Sequence, residues 1–200
     1  MTENSENKTI FNRNKIGNLF IYLSDNIENL FLTKLLKLTY IIDEIAVKET
    51  GAPVTWLRYK VWKMGPVPRK IHANITFEQG DFFSEYIDVE YVEEVRGRKI
   101  ESNNTFDDSE FSDYEIELID RVIKNYGSLN SNELIELLHE TDSLWHKVVV
   151  EKNLQQIFDS EEESTSPYTI DLKEAISDPF LKEMFDEMLE NIKFREELVI

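Results

Sequence analysis

The histidines His72, His139 and His146 are the residues of this chain best suited by type to metal ligation or proton transfer. His139 and His146 stand seven residues apart, close to two helical turns, a spacing that would stack two imidazoles on one helical face. Leu144-Trp145 between them reads as a loop, so a metal site would need a carboxylate from elsewhere. The simpler assignment has His139 finishing a helix and His146 exposed. Asp and Glu number 40, too many for any pair to be singled out as acid and base without geometry. Cysteine is absent, which excludes thiolate nucleophiles, disulfides and cysteine-ligated zinc together. The sequence has no Walker loop, dinucleotide-binding glycine fingerprint, His-Glu-x-x-His pair or nucleophile elbow. The expectation is a chain with no catalytic, cofactor-binding or metal-binding residue, and not an enzyme.

Surface chemistry is the other possibility. Between Thr50 and Phe77 there is no carboxylate, while Arg58, Lys60, Lys63, Arg69, Lys70 and His72 all fall there. Trp56 and Trp62 frame this basic island, an arrangement that suits base stacking and phosphate contact but also ordinary packing of long cationic side chains on indoles. The charge of the rest opposes nucleic acid. The net charge is −18, and residues 101–200 carry 26 Asp+Glu against 8 Lys+Arg, whereas the first hundred residues are balanced. Such a surface repels phosphates, keeps the chain soluble and attracts basic partners.

Hydrophobic periodicity supplies the elements that must position these residues. The first 14 residues are polar and read as a flexible tail without the apolar segment of a signal peptide, and no run is long enough to span a membrane. Together with the missing cysteines this gives a cytoplasmic expectation. From Lys15, the spacing of Ile16, Leu19, Phe20, Leu23 and Ile27 predicts one buried helical face. A helix over residues 32–49 is apolar on more than one side, as expected of a central helix. Residues 54–62 read as a strand, with Leu57, Tyr59 and Val61 on one side and Trp56, Arg58, Lys60 and Trp62 on the other. Gly65-Pro66-Val67-Pro68 then reads as a sharp turn, with Pro68 in the first turn of a short helix ending near Phe77.

Residues 82–101 suggest a hairpin turning at Arg96-Gly97-Arg98. Ser112 and Glu115 have capping-box spacing, Gly127 suits the left-handed residue that ends the following helix, and a Leu-rich helix runs over residues 131–140. The acidic, Ser/Thr-rich stretch 159–167 reads as a linker or surface loop. Asp171 caps a short helical segment, and Asp178-Pro179 opens a final helix whose Met/Phe stripe covers the core or meets a partner. The fold class is α+β and mostly α-helical, a helical core with a small antiparallel β-sheet or hairpin. The organisation is a tail over 1–14, a domain over 15–155, and an acidic linker plus C-terminal helix over 156–200 packed on that domain.

Three separated motifs, in order, resemble the SocA-like antitoxin domain, or Panacea domain, a family often phage-associated. They are Lys34-Leu35-Leu36-Lys37-Leu38-Thr39-Tyr40, then Trp62-Lys63-Met64-Gly65-Pro66-Val67, then Tyr126-Gly127 followed by Glu133-Leu134, His139 and Trp145. The resemblance covers about residues 15–150. Leu144 stands where the family often has proline, and Thr39 where an apolar residue is more usual. The resemblance implies a domain that neutralises a cognate protein toxin by direct binding, as the antitoxin of a type II toxin–antitoxin system. It makes Lys34, Lys37, Tyr40, Trp62, Gly65, Pro66, Val67, His139 and Trp145 family positions, structural first and interfacial second. Neither a membrane nor nucleic acid is an expected partner, and a homo-oligomer stays open. The alternative is a phage or mobile-element accessory protein whose acidic surface binds a basic host factor.

Overall fold

The computed structural model describes residues 12–77, 81–161 and 163–198. Most of the expected tail lies outside them. Helix α1 (Arg13–Asn26) starts behind Asn12, whose side chain accepts from the Lys15 amide, and buries Ile16, Leu19, Phe20 and Leu23 as the periodicity requires. Helix α2 (Leu32–Thr50) is buried over most of its length, including the polar residues Lys34, Lys37, Thr39 and Asp43. It ends at Gly51, whose φ of +76° brings the amide back to the Val47 carbonyl.

The strand expected over 54–62 is shorter, because its first half is committed elsewhere. The Thr55 amide and hydroxyl both turn to the Asp43 carboxylate, and Trp56 takes a φ of +56°, which no extended strand accommodates. Strand β1 (Tyr59–Trp62) therefore begins only at Tyr59, with Tyr59 and Val61 inward and Lys60 and Trp62 outward.

The stretch read as a turn into a helix is itself a strand. β2 (Gly65–Pro68) pairs antiparallel with β1, Trp62 opposite Gly65 and Tyr59 opposite Pro68, so that only Lys63 and Met64 form the loop. Two prolines fit here because of the other edge of β1. The Val61 amide donates to the Tyr168 carbonyl and the Tyr59 carbonyl accepts from the Ile170 amide. Val61 and Tyr59 thus direct their main-chain groups away from β2, and their partners Pro66 and Pro68 face no ladder bond that an N–H would have made. Helix α3 (Arg69–Phe77) follows directly after Pro68.

A second hairpin, β3 (Ile87–Val92) with β4 (Gly97–Ser102), packs on α1 and α2. Its connection is a 3-10 turn over Glu93–Val95, reversed by Arg96 at φ +48° rather than by Gly97. Helix α4 (Asp113–Tyr126) carries the expected Ser112–Glu115 capping box. Gly127 does not take the left-handed conformation predicted for it. Its φ is −65°, its amide still bonds to the Ile123 carbonyl, and its own carbonyl is taken by Lys34. Helix α5 (Ser131–Leu138) has a second capping box, Asn130 with Glu133.

Leu144 and Trp145 are not in a loop. They begin helix α6 (Leu144–Glu151), capped by the Ser143 hydroxyl, a start that local pattern hides because it follows the end of α5 by only a few residues. Helix α7 (Gln155–Asp159) follows and buries Phe158. Asp171 caps the 3-10 turn Leu172–Ala175, and α8 (Pro179–Leu198) starts with the Asp178 carboxylate accepting from the Phe180 amide. Phe185 of α8 stacks on Trp56, ring centroids 5.6 Å apart, and joins Ile170, Leu172 and Ile176 in the core. Phe180 and Phe194 point to solvent. None of the helices among the described residues is long and apolar enough to cross a membrane.

The candidate functional site

The three motifs meet around one side chain. Lys37 lies in the middle of α2 with 2% of its surface exposed, and its Nζ donates to the Pro66 carbonyl at 2.9 Å. Gly65 is shaped by the same contact. Its φ of +96° suits glycine, and a Cβ added to it would sit 3.0 Å from Lys37 Nζ and 3.6 Å from His139 Nε2. Burial lowers the Lys37 pKa to about 7.

His139, the C-cap of α5, lies flat against Trp145 with ring centroids 3.7 Å apart and planes 6° from parallel. Burial first, then the positive fields of Lys37 and His146, push its pKa down to about 4, so the ring is neutral at pH 7. Its Nε2 is buried without a hydrogen-bond partner among the described residues. Trp145 closes the ring of contacts, its indole N–H donating to the Trp62 carbonyl at 2.9 Å.

One turn before Lys37 on α2, Lys34 reaches the other end of the last motif. Its Nζ donates to the Gly127 carbonyl at 2.5 Å, and burial lowers its pKa while Glu133 opposes that shift. Tyr40 sets its ring edge-on to Tyr59, centroids 5.0 Å apart, and Val67 is buried within β2. Thr39 is completely buried, its hydroxyl satisfied by the Leu35 carbonyl one turn back. Leu144 is buried as well. Both departures from the motif pattern are thereby absorbed by the core.

Lys34, Lys37, Gly65, Pro66, His139 and Trp145 thus form a tie that bolts hairpin β1–β2, α4, α5 and α6 to α2. His146 lies on α6 and is half-buried, and His72 stacks edge-on with Trp62 at 5.0 Å, its pKa lowered by burial and then by the charges of Arg98 and Lys37. Among the described residues, no three His, Asp or Glu side chains are grouped to hold a metal ion.

One buried group escaped the sequence reading. The Asp43 carboxylate is completely buried and accepts from the Thr55 amide at 2.8 Å, from the Thr55 hydroxyl, and from the Tyr59 hydroxyl at 2.7 Å. Burial raises its pKa to about 6 against the lowering effect of those hydrogen bonds. Asp43 and Glu44 together interrupt the apolar run of α2 between Ile42 and Ile45, and nothing in their spacing says which of the two is buried.

A mostly helical α+β domain whose family positions interlock instead of lining a cleft is the class defined by this geometry. A family model described as antitoxin SocA-like, Panacea domain, matches residues 35–146, more than half of the chain, and the chain belongs to that family. Neither the curated proteins nor the solved structures give a match.

Proposed function

We propose that this protein is the antitoxin of a type II toxin–antitoxin system, neutralising a cognate protein toxin by direct contact and without catalysis of its own. Family membership over residues 35–146 is the observation that carries this reading. The use of its motif residues as internal ties agrees with it, since neutralisation by binding requires a stable surface rather than activated groups. Toxin binding would then fall to residues outside the tie.

Co-expression with the product of the neighbouring reading frame tests the proposal. Growth should stop with that product alone and recover when this chain is added, and the two should co-purify. A product harmless by itself, or lethal in both cases, would refute the reading. The excess of carboxylates in residues 101–200 supports a second reading, an accessory protein that holds a basic host factor. That reading expects a salt-sensitive complex with a basic protein and no rescue of growth.

A further inference from the structure

The hairpin register sets two arginines side by side. Tyr59 lies opposite Pro68, so the next positions outward, Arg58 and Arg69, flank the open end of the β1–β2 ladder. Both are exposed, and among the described residues neither forms an ion pair or hydrogen bond. The antiparallel register that sets Thr169 opposite Lys60 brings Asp171 toward Arg58, and the two line one cavity, yet among the described residues no ion pair closes between them and the two like charges stay side by side.

The other cations of the basic island are already engaged. Lys60 donates to the Pro167 carbonyl at 2.6 Å, and Lys63 lies 3.7 Å from the Glu161 carboxylate, both partners belonging to the acidic stretch that runs along the free edge of β1. The chain's own segment 161–171 therefore runs along this basic stretch as far as Arg58, but forms no ion pair with Arg58 or Arg69 among the described residues.

Aromatic surface continues from that end. Arg69, Ala73 and Phe77 follow one another at four-residue steps along one face of α3, and Phe77 is 77% exposed. His72 bridges the Phe77 and Trp62 rings, at centroid distances of 6.5 and 5.0 Å, and Arg98 holds the helix end through the Thr76 carbonyl. Arginine beside exposed aromatic surface is the composition enriched at the energetic centres of protein interfaces.

We propose that Arg58, Arg69 and Phe77 form the docking face for an acidic segment of a protein partner, with carboxylates paired to the two guanidiniums and an apolar side chain against Phe77. A protein segment is favoured over nucleic acid because a chain of net charge −18 repels an extended polyphosphate, whereas a short acidic segment meets only the local basic face. The proposal rests on the reading that this chain acts by binding a protein, and names where.

Two probes test it with the full chain, the neighbouring reading frame's product and a short fluorescein-labelled peptide of Asp, Glu and Phe. Arg58→Glu combined with Arg69→Glu should weaken binding of both by at least about 30-fold, and Phe77→Ser by about 10-fold, with each variant still folded at the assay temperature because these side chains are exposed. Equal affinity of the wild type and the double variant for the neighbouring product would overturn the docking face and leave the antitoxin reading standing. Binding of the peptide through this face without binding of the neighbouring product would do the reverse. Tighter binding of a labelled single-stranded oligonucleotide than of the peptide would overturn the choice of partner. So would a homodimer that Arg58→Glu/Arg69→Glu dissolves.

Discussion

Lys37 is the residue at which burial and charge are most directly opposed. Its ammonium has three donors, and the Pro66 carbonyl answers one of them at 2.9 Å. With the pKa lowered from 10.5 to about 7, the unfolded chain binds a proton between those values that the folded chain does not. Stability from this group is therefore full above the unfolded value and is lost as the pH falls through 7. From pH 7 to about 9.5 the gain should be on the order of 3 kcal/mol, with Lys34 acting in the same direction. Urea unfolding at the two pH values measures it. Lys37→Met should remove most of the slope, and a wild-type midpoint that stays put would contradict the burial argument. Tyr40 and Tyr59, whose pKa values burial raises well above 10, oppose the trend only beyond this window.

On the acid side two groups compete. Asp43, raised to about 6, contributes stability that is full below 3.8 and lost as the pH rises through 6, while His139, lowered to about 4, contributes stability present above 6.5 and lost as the pH falls through 4. These two contributions should nearly cancel between the limits. Asp43→Asn should unmask a fall in stability on acidification and His139→Phe a rise, as read from unfolding midpoints across the range. Parallel profiles for the two variants would exclude the opposition.

At the scale of elements, hairpin β1–β2 depends on one glycine. Gly65→Ala would place a side chain at φ +96° and press a methyl group to 3.0 Å from Lys37 Nζ, a combination expected to cost about 1–3 kcal/mol. Thermal unfolding measures the loss, and a variant within a few tenths of a kcal/mol of wild type would show that the hairpin yields freely. The same hairpin shows what the sequence makes legible. Helices α1, α2, α4 and α5 follow from periodicity and capping boxes, which are local and repeat within a few residues. β2 escapes because its prolines are tolerated only when β1 turns its main-chain groups toward residues 164–170, more than a hundred positions away. The early end of β1 escapes for a similar reason, since Asp43 captures Thr55 from the neighbouring helix. The family positions are readable as motifs, yet their meeting around Lys37 depends on tertiary contacts that no spacing encodes. Conversely, the basic island is plain in the sequence, and only the register of the hairpin sets Arg58 beside Arg69, neither in an ion pair among the described residues.

For the molecule as a whole, charge acts with opposite signs on folding and on association. Most ion pairs among the described residues are substantially exposed, such as Arg13–Glu85 and Lys152–Glu151, and pairs of that kind contribute about 0–1 kcal/mol each. The larger effect is mutual repulsion among 40 carboxylates held by a chain with only 22 Lys+Arg, a cost of the compact state that salt reduces. Raising NaCl from about 0.02 to 0.5 M, where the screening length shrinks from well above 10 Å to a few ångströms, should therefore raise the melting temperature. A lower melting temperature in salt would mean that the surface ion pairs outweigh the repulsion. The same titration should weaken docking of an acidic segment at Arg58 and Arg69, because that attraction is also between exposed charges. A stabilising effect of salt on the free chain thus protects the binding measurement from a trivial explanation: affinity lost at high salt cannot be ascribed to unfolding, and the part that disappears in Arg58→Glu/Arg69→Glu belongs to the docking face itself.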